Sequence, residues 1–205
     1  MPTTHCICGS QVDARGLHGL SCRKSGLRHI RHSQLNDLIW RAIRKAQIPA
    51  TKEPVSLSRT DGKRPDGARL IPWTRGKPFA WGVTVPDTYA QSHIAETAEN
   101  AGAAATKAAV NKSTKYACLT ATHHFVPIAI ETGGPWNSEA AELVADLGRR
   151  ITQVTSNLWE HSTGNTVPEN FHNSSERKRN CVLEHFQNRV IFTAACIIRD
   201  VTAHH

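Results

Sequence analysis

Four side chains near the start of the chain have the right types and spacing to share one metal ion. Cys6 and Cys8 are separated by one residue, nine residues then lead to His18, and three more lead to Cys22. Thiolates and an imidazole are borderline-soft donors, and four of them suit a tetrahedral zinc. Such ligation would supply the folding free energy that so short a segment lacks. Gly9, Gly16 and Gly19 permit the chain reversals that ligation demands. The Cys6-x-Cys8 gap is shorter than the usual two to four residues, and the alternative is a reduced tail whose cysteines merely coincide. His5, His29 and His32 are further candidate ligands, or neighbours of phosphate or solvent.

A second constellation starts at Lys63-Arg64-Pro65-Asp66-Gly67. Hydrolysis of a phosphodiester calls for divalent cations held by carboxylates, with a positive side chain nearby to steady the developing charge. Asp66 follows a proline that stiffens the turn, and it opens a strand that fixes its direction. In nuclease folds of the PD-(D/E)xK type, a second carboxylate and a lysine alternate on the next strand, on one side of it. The next strand here is Trp81-Gly82-Val83-Thr84-Val85, and its site-facing positions are Gly82 and Thr84. Val83 and Val85 are expected to face the core. The carboxylate position therefore holds glycine, and the lysine must come from elsewhere: Lys107, Lys112 or Lys115. Glu53 is a further candidate ligand, with a solvated edge carboxylate as its alternative. Asp87 fits a cap for the following helix. Pro-Asp-Gly is also an ordinary turn sequence, so the motif alone does not decide.

Several elements must position these groups. Leu35, Leu38, Ile39, Ala42, Ile43 and Ala46 recur at helical spacing, with Ser33 as N-cap and Pro49 beyond the end. Strands are expected at 51–57, 66–72 and 78–85, the last two joined by a hairpin. Residues 88–119 read as one long Ala-rich helix, weakened at Gly102. A fourth strand follows at 126–131. Asn137 or Ser138 then caps a helix whose stripe is Ala140, Leu143, Val144, Leu147, Ile151 and Val154. Polar residues 155–180 read as a loop, and 182–201 as a last helix. The fold class is α/β, a mixed sheet flanked by helices. The expected units are a knuckle with a basic linker (1–32), a core (33–155), and a loop plus helix that completes or flanks it (156–205). Cys118, Cys181 and Cys196 sit in apolar contexts and are expected in the core. Trp40, Trp73, Trp81 and Trp136 are expected to pack in the core or at an edge, with stacking on bases as the alternative.

Charge is distributed unevenly. Residues 1–115 hold 18 Lys and Arg against 8 Asp and Glu, and residues 116–205 hold 7 against 9. One half is therefore strongly basic, as a polyanion partner requires. Arg23, Lys24, Arg28 and Arg31 crowd one segment, and Lys63 and Arg64 flank Asp66. These six are candidate phosphate contacts. No run of 18 apolar residues exists, and no apolar segment opens the chain. A nuclear or cytoplasmic protein, neither secreted nor membrane-bound, is expected.

Longer runs carry a resemblance. They are residues 16–22 (GLHGLSC), 31–42 (RHSQLNDLIWRA), 58–67 (SRTDGKRPDG) and 83–90 (VTVPDTYA), with Lys115-Tyr116 and Ile130-Glu131-Thr132. Together they resemble the C-terminal region of non-LTR retrotransposon polyproteins, most closely tick transposon-like reading frames of arthropods. That region carries a zinc knuckle and a restriction-like endonuclease. The resemblance implies a structural zinc on Cys6, Cys8, His18 and Cys22. It implies a Mg2+-dependent DNA endonuclease site in which Asp66 holds the metal, with Lys112, Lys115 and Tyr116 as the helix residues. The family places Asp-Val-Thr where this chain has Gly82-Val83-Thr84, so cleavage is expected to be weak or absent. DNA or RNA is the implied partner, and the region normally works fused to or beside a reverse transcriptase. Two other classes compete with an impaired nuclease: a nucleic-acid-binding remnant that never cuts, and a structural zinc protein without such a partner.

Overall fold

The computed structural model describes residues 26–59, 61–73 and 76–163, and, ahead of these, residues 5, 6, 8–12, 18, 22 and 24; for 156–163 it describes the backbone alone. Arg23, Cys181, Cys196 and the helix expected at 182–201 lie outside the described residues.

The elements run α1 (Leu27–Lys45), β1 (Ala50–Lys52), β2 (Gly67–Arg69), β3 (Phe79–Thr84), α2 (Ile94–Glu99), α3 (Ala103–Lys115), β4 (His124–Ala129) and α4 (Ser138–Thr163). The four strands form one sheet in the order β1-β2-β3-β4. The first two pairings are antiparallel and β3–β4 is parallel. This is a mixed α/β sheet flanked by helices, as the sequence implies.

Strand parity decides which helix covers which face. Phe79, Trp81 and Val83 point to one side with Val126 and Ile128 of β4, and pack on Leu35, Ile39 and Ile43 of α1 and Leu147 and Ile151 of α4. Ala80 points the other way, into a cluster with Tyr116, Leu119 and Phe125. Ala105 and Ala109 of α3 meet Ala129 on that same face. The small alanines let the helix lie close to the strands. Period-two alternation thus gives β3 a core face and a second face looking at α3.

Several boundaries differ from expectation. The first helix starts at Leu27, not Ser33, so Arg28 and Arg31 of the basic stretch fall in its opening turns. Those turns are polar because most of their outward positions are solvated. The first strand stops at Lys52, because Glu53 adopts φ 46° and turns the chain aside. A short 3-10 turn takes residues 55–57. The Ala-rich segment is two helices, broken where Gly102 takes φ 90°. The helix expected to end near 154 runs on to Thr163, through part of the stretch read as a loop. Cys118 lies exposed on a 3-10 turn rather than in the core. Asp87 does not cap a helix; its Oδ1 accepts from Tyr89 N–H at 3.0 Å within a turn.

Two contacts fix the elements that carry the site. Gly67 faces Trp81 across the β2–β3 ladder, and a Cβ on it would lie 2.0 Å from the indole. The glycine of Pro-Asp-Gly therefore serves packing rather than a turn. Gly67→Ala is expected to destabilise the fold by roughly 1–3 kcal/mol through overpacking, read as a lower denaturation midpoint at unchanged m-value. At the start of α3, the fully buried Glu131 accepts the Ala105 N–H through Oε1 at 3.1 Å. A carboxylate there meets the positive end of the helix dipole and anchors the helix that delivers Lys112. Among the described residues, no helix is long and apolar enough to cross a membrane.

Candidate functional site

The four N-terminal candidates converge. The ligand atoms of Cys6, Cys8, His18 and Cys22 all lie within 4.8 Å of one another. Gly9, at φ 90°, turns the chain between the first two cysteines and the bridge from His5 to Gln11. The Cys22 N–H bonds to the His18 carbonyl at 2.9 Å, which holds those two residues together. Cys6 and Cys22 sulfurs are 3.4 Å apart, and Cys8 Sγ is 3.0 Å from His18 Nε2. Tetrahedral zinc with sulfur at about 2.3 Å spaces its thiolates about 3.8 Å apart, so modest outward motion admits the ion. Hydrogen bonds from the Ser10 side chain and backbone bring the Cys8 thiol down to about 6, toward the thiolate that metals bind. A backbone hydrogen bond at Cys8 pulls Cys6 the same way, but the hydrogen bond and charge of Cys22 leave Cys6 raised. By donor type and by convergence the cluster could hold a metal ion.

The second site forms where β2 begins. Asp66 N–H bonds to the Trp81 carbonyl at 2.9 Å, and its own carbonyl accepts from Glu53 N–H at 3.1 Å. The same carbonyl accepts from Asn36 Nδ2 at 3.1 Å, while Asn36 Oδ1 accepts from the buried Trp81 indole N–H at 2.9 Å. The backbone of Asp66 is thereby held from three sides. Its carboxylate then has three partners: Oδ2 accepts from Val83 N–H at 2.6 Å and from Lys112 Nζ at 2.8 Å, and Oδ1 faces His32 Nε2 at 3.2 Å. Burial alone would raise this acid. The His32 hydrogen bond and the Lys112 charge outweigh it and bring Asp66 down to about 2.

The position expected to carry a second carboxylate lies beside this group. Gly82 faces α3: a Cβ there would come 2.9 Å from Phe125 Cζ, 3.0 Å from Lys112 Cδ and 3.1 Å from Lys112 Nζ. Of the three candidate lysines, Lys112 reaches Asp66, and Lys107 pairs with Glu96 instead. Lys115 lines the same cleft, with its pKa lowered by burial and by the charges of Lys112, Lys63 and Arg59. Tyr116 is buried, and its hydroxyl donates to the Arg64 carbonyl at 2.6 Å. Burial, then the Asp66 charge, raises its pKa, which marks it as a neutral strut of the cleft wall. Glu53 is at the rim, and its carboxylate pairs with Arg64.

The result is an open cleft of about 500 Å³ lined by His32, Glu53, Gly62, Lys63, Arg64, Pro65, Asp66, Lys112, Lys115 and Tyr116. Lys63 and Arg64, candidate phosphate contacts by sequence, line this cleft. Lys24 and Arg28 are exposed at the start of α1, whereas Arg31, expected to reach phosphate, is 1% exposed and packed inside. Its pKa is lowered by burial first, then by Arg28. His32 and Asn36 were not legible as partners of Asp66. They stand four apart on α1, on one face, a signal that the helix start at Ser33 conceals.

The donor set does not suit a hard divalent cation. Among the described residues, Asp66 is the one carboxylate where β2 meets β3, position 82 contributes none, and Glu53 is paired with Arg64. An ammonium already rests on Asp66 Oδ2. Mg2+ keeps several waters and is held through one or two carboxylates, and among the described residues of the cleft both carboxylates are already paired with basic side chains. Compared with known proteins, the chain matches no family model, and no curated protein matches it.

Proposed function

We propose that this chain is the zinc-knuckle and restriction-like endonuclease region of a non-LTR retrotransposon polyprotein, that it binds DNA or RNA, and that it cleaves weakly or not at all. The PD-(D/E)xK assignment belongs to this reading, as does a reverse transcriptase as its working neighbour. One observation carries it: Asp66 opens a strand, meets the next strand at Gly82-Val83, and receives a lysine from the following helix. That arrangement supports a phosphodiester-cleaving ancestry with one carboxylate missing. The basic cleft around it supports a polyanionic partner. Zinc is the metal we assign to the Cys–His cluster, because thiolate and imidazole donors select it over oxygen-seeking ions. The missing carboxylate also favours the reading as a binding domain without catalysis, since an unheld cation neither polarises the phosphate nor activates water.

The test is nicking of supercoiled plasmid with Mg2+ or Mn2+. The unaltered chain is expected to leave the plasmid intact, and robust cutting would overturn the impaired reading. Gly82→Asp restores a carboxylate but must displace Lys112 and press on Phe125, whose ring is stacked on Tyr116 at 4.8 Å. Slow, Mn2+-dependent nicking is therefore the expected gain. A folded Gly82→Asp protein that never nicks would remove position 82 from the site.

A further inference from the structure

In a metal-dependent hydrolytic site, a carboxylate holds a divalent cation and the cation meets the phosphate oxygens. Asp66 holds a different cation. The Lys112 ammonium lies 2.8 Å from Oδ2, and the rest of the carboxylate is taken by Val83 N–H and His32. The lysine reaches it through space that a side chain at position 82 would fill, because a Cβ there would lie 3.0 Å from Lys112 Cδ and 3.1 Å from Nζ. Glycine at 82 and lysine on Asp66 are thus one arrangement: the same change that removes a metal ligand opens the path for the ammonium. We propose that Lys112 takes the place of the divalent cation at Asp66, and that the cleft binds a nucleic-acid phosphate with no divalent cation present.

The proposal rests on the nucleic-acid reading above and goes beyond it in naming what stands at the centre of the cleft. The chemistry is consistent. An ammonium has three N–H donors. One satisfies Asp66, and the others are left for a phosphate oxygen in the cleft that Lys63 and Lys115 also line. Neutralising Asp66 removes the repulsion a phosphate would otherwise meet there. An ammonium is no Lewis acid and does not lower the pKa of water as a bound metal does, so it supports binding without hydrolysis.

The experiment uses the zinc-loaded full chain in resin-treated buffer, without a chelator that would strip the thiolate site. Mn2+ uptake is followed by equilibrium dialysis, and binding of a fluorescent DNA duplex is measured at matched ionic strength. Mn2+ is the weakest binder of the divalent first-row ions and does not displace thiolate-held zinc. The unaltered chain is expected to take up no stoichiometric Mn2+, and its duplex affinity to change by less than about twofold when Mg2+ or Mn2+ is added. Lys112→Met, which keeps the stem and removes the charge, is expected to bind duplex more weakly and to regain about tenfold with Mn2+, as the freed carboxylate takes up the ion. Stoichiometric Mn2+ uptake by the unaltered chain overturns the proposal whatever its DNA affinity, and needs no variant to fold. So does duplex binding that requires Mg2+. A chain that takes up no Mn2+ and binds no duplex at low salt overturns the nucleic-acid reading, and the phosphate half of this proposal with it.

Discussion

Cys22→Ala is expected to abolish stoichiometric zinc binding and to release Cys6, Cys8 and His18 from one another, while the sheet and its helices stay folded. Cys22 is the most buried of the four candidate ligands, at 3% exposure. Among the segment's described residues, backbone bonds run from Cys6 to Ser10, Gly9 to Cys6 and Cys22 to His18, and a bridge joins His5 to Gln11. Convergence of three thiols and an imidazole within 4.8 Å makes sense as a metal-dependent fold. Losing a direct ligand is expected to cost more than the roughly 10- to 100-fold in affinity that follows loss of an outer hydrogen-bond partner. The core has its own apolar cluster of Leu35, Ile39, Ile43, Trp81, Ile128 and Leu147 and does not depend on these ligands. Two measurements separate the outcomes: metal content by elemental analysis, and thermal unfolding followed by tryptophan fluorescence, to which the fully buried Trp81 contributes. An unaltered protein that purifies without metal and gains no structure when zinc is added would remove the metal centre. A Cys22→Ala protein whose sheet also unfolds would show that the N-terminal segment supports the core.

How much of this was legible depends on the distance over which the signal acts. The inward face of β3 was readable, because Phe79, Trp81 and Val83 alternate with small residues and the period is local. The break at Gly102 was readable as a weak point, though not as a left-handed residue separating two helices. The start of α1 was not, because Arg28, His29 and His32 look like linker residues until the helix beneath them is known. Helical phase could have narrowed the lysines: Lys112, Lys115 and Tyr116 are spaced three and four apart and share a face, whereas Lys107 falls on another and pairs with Glu96. Nothing local shows that Lys112 rather than Lys115 reaches Asp66. That choice follows from the close α3–sheet approach and from the empty volume at Gly82. Nor does the sequence show that Asn36 ties the Trp81 indole to the Asp66 backbone, because that contact joins three elements.

Asp66→Ala is expected to destabilise the core by about 3 kcal/mol, mainly by leaving buried partners unmatched. The Val83 N–H loses its 2.6 Å acceptor. Lys112, whose side chain is 18% exposed, loses its one ion pair and must find water at the mouth of the cleft. His32 is 39% exposed and loses little, because solvent replaces its partner. Asp66→Asn keeps the shape and one acceptor oxygen but not the charge, so it is expected to cost about half as much. The same carboxylate sets an acid dependence whose sign follows from its shift. In the folded protein Asp66 is lowered from 3.8 to about 2, so the unfolded chain binds its proton first as pH falls. The stability it contributes is complete above about pH 4 and is lost as pH drops through about 2, with a total of about 2 kcal/mol. Other acids, among them Asp37 and Asp61, are also lowered and add to the acid loss of the unaltered protein. The difference between the two proteins isolates Asp66. Urea unfolding at about pH 5 and about pH 2.5 is expected to show the gap between the unaltered chain and Asp66→Asn shrinking by more than half at the lower pH, since by then most of the Asp66 contribution is gone from both. A gap that stays constant across that range would mean that the Asp66 charge is not held by Lys112 and His32.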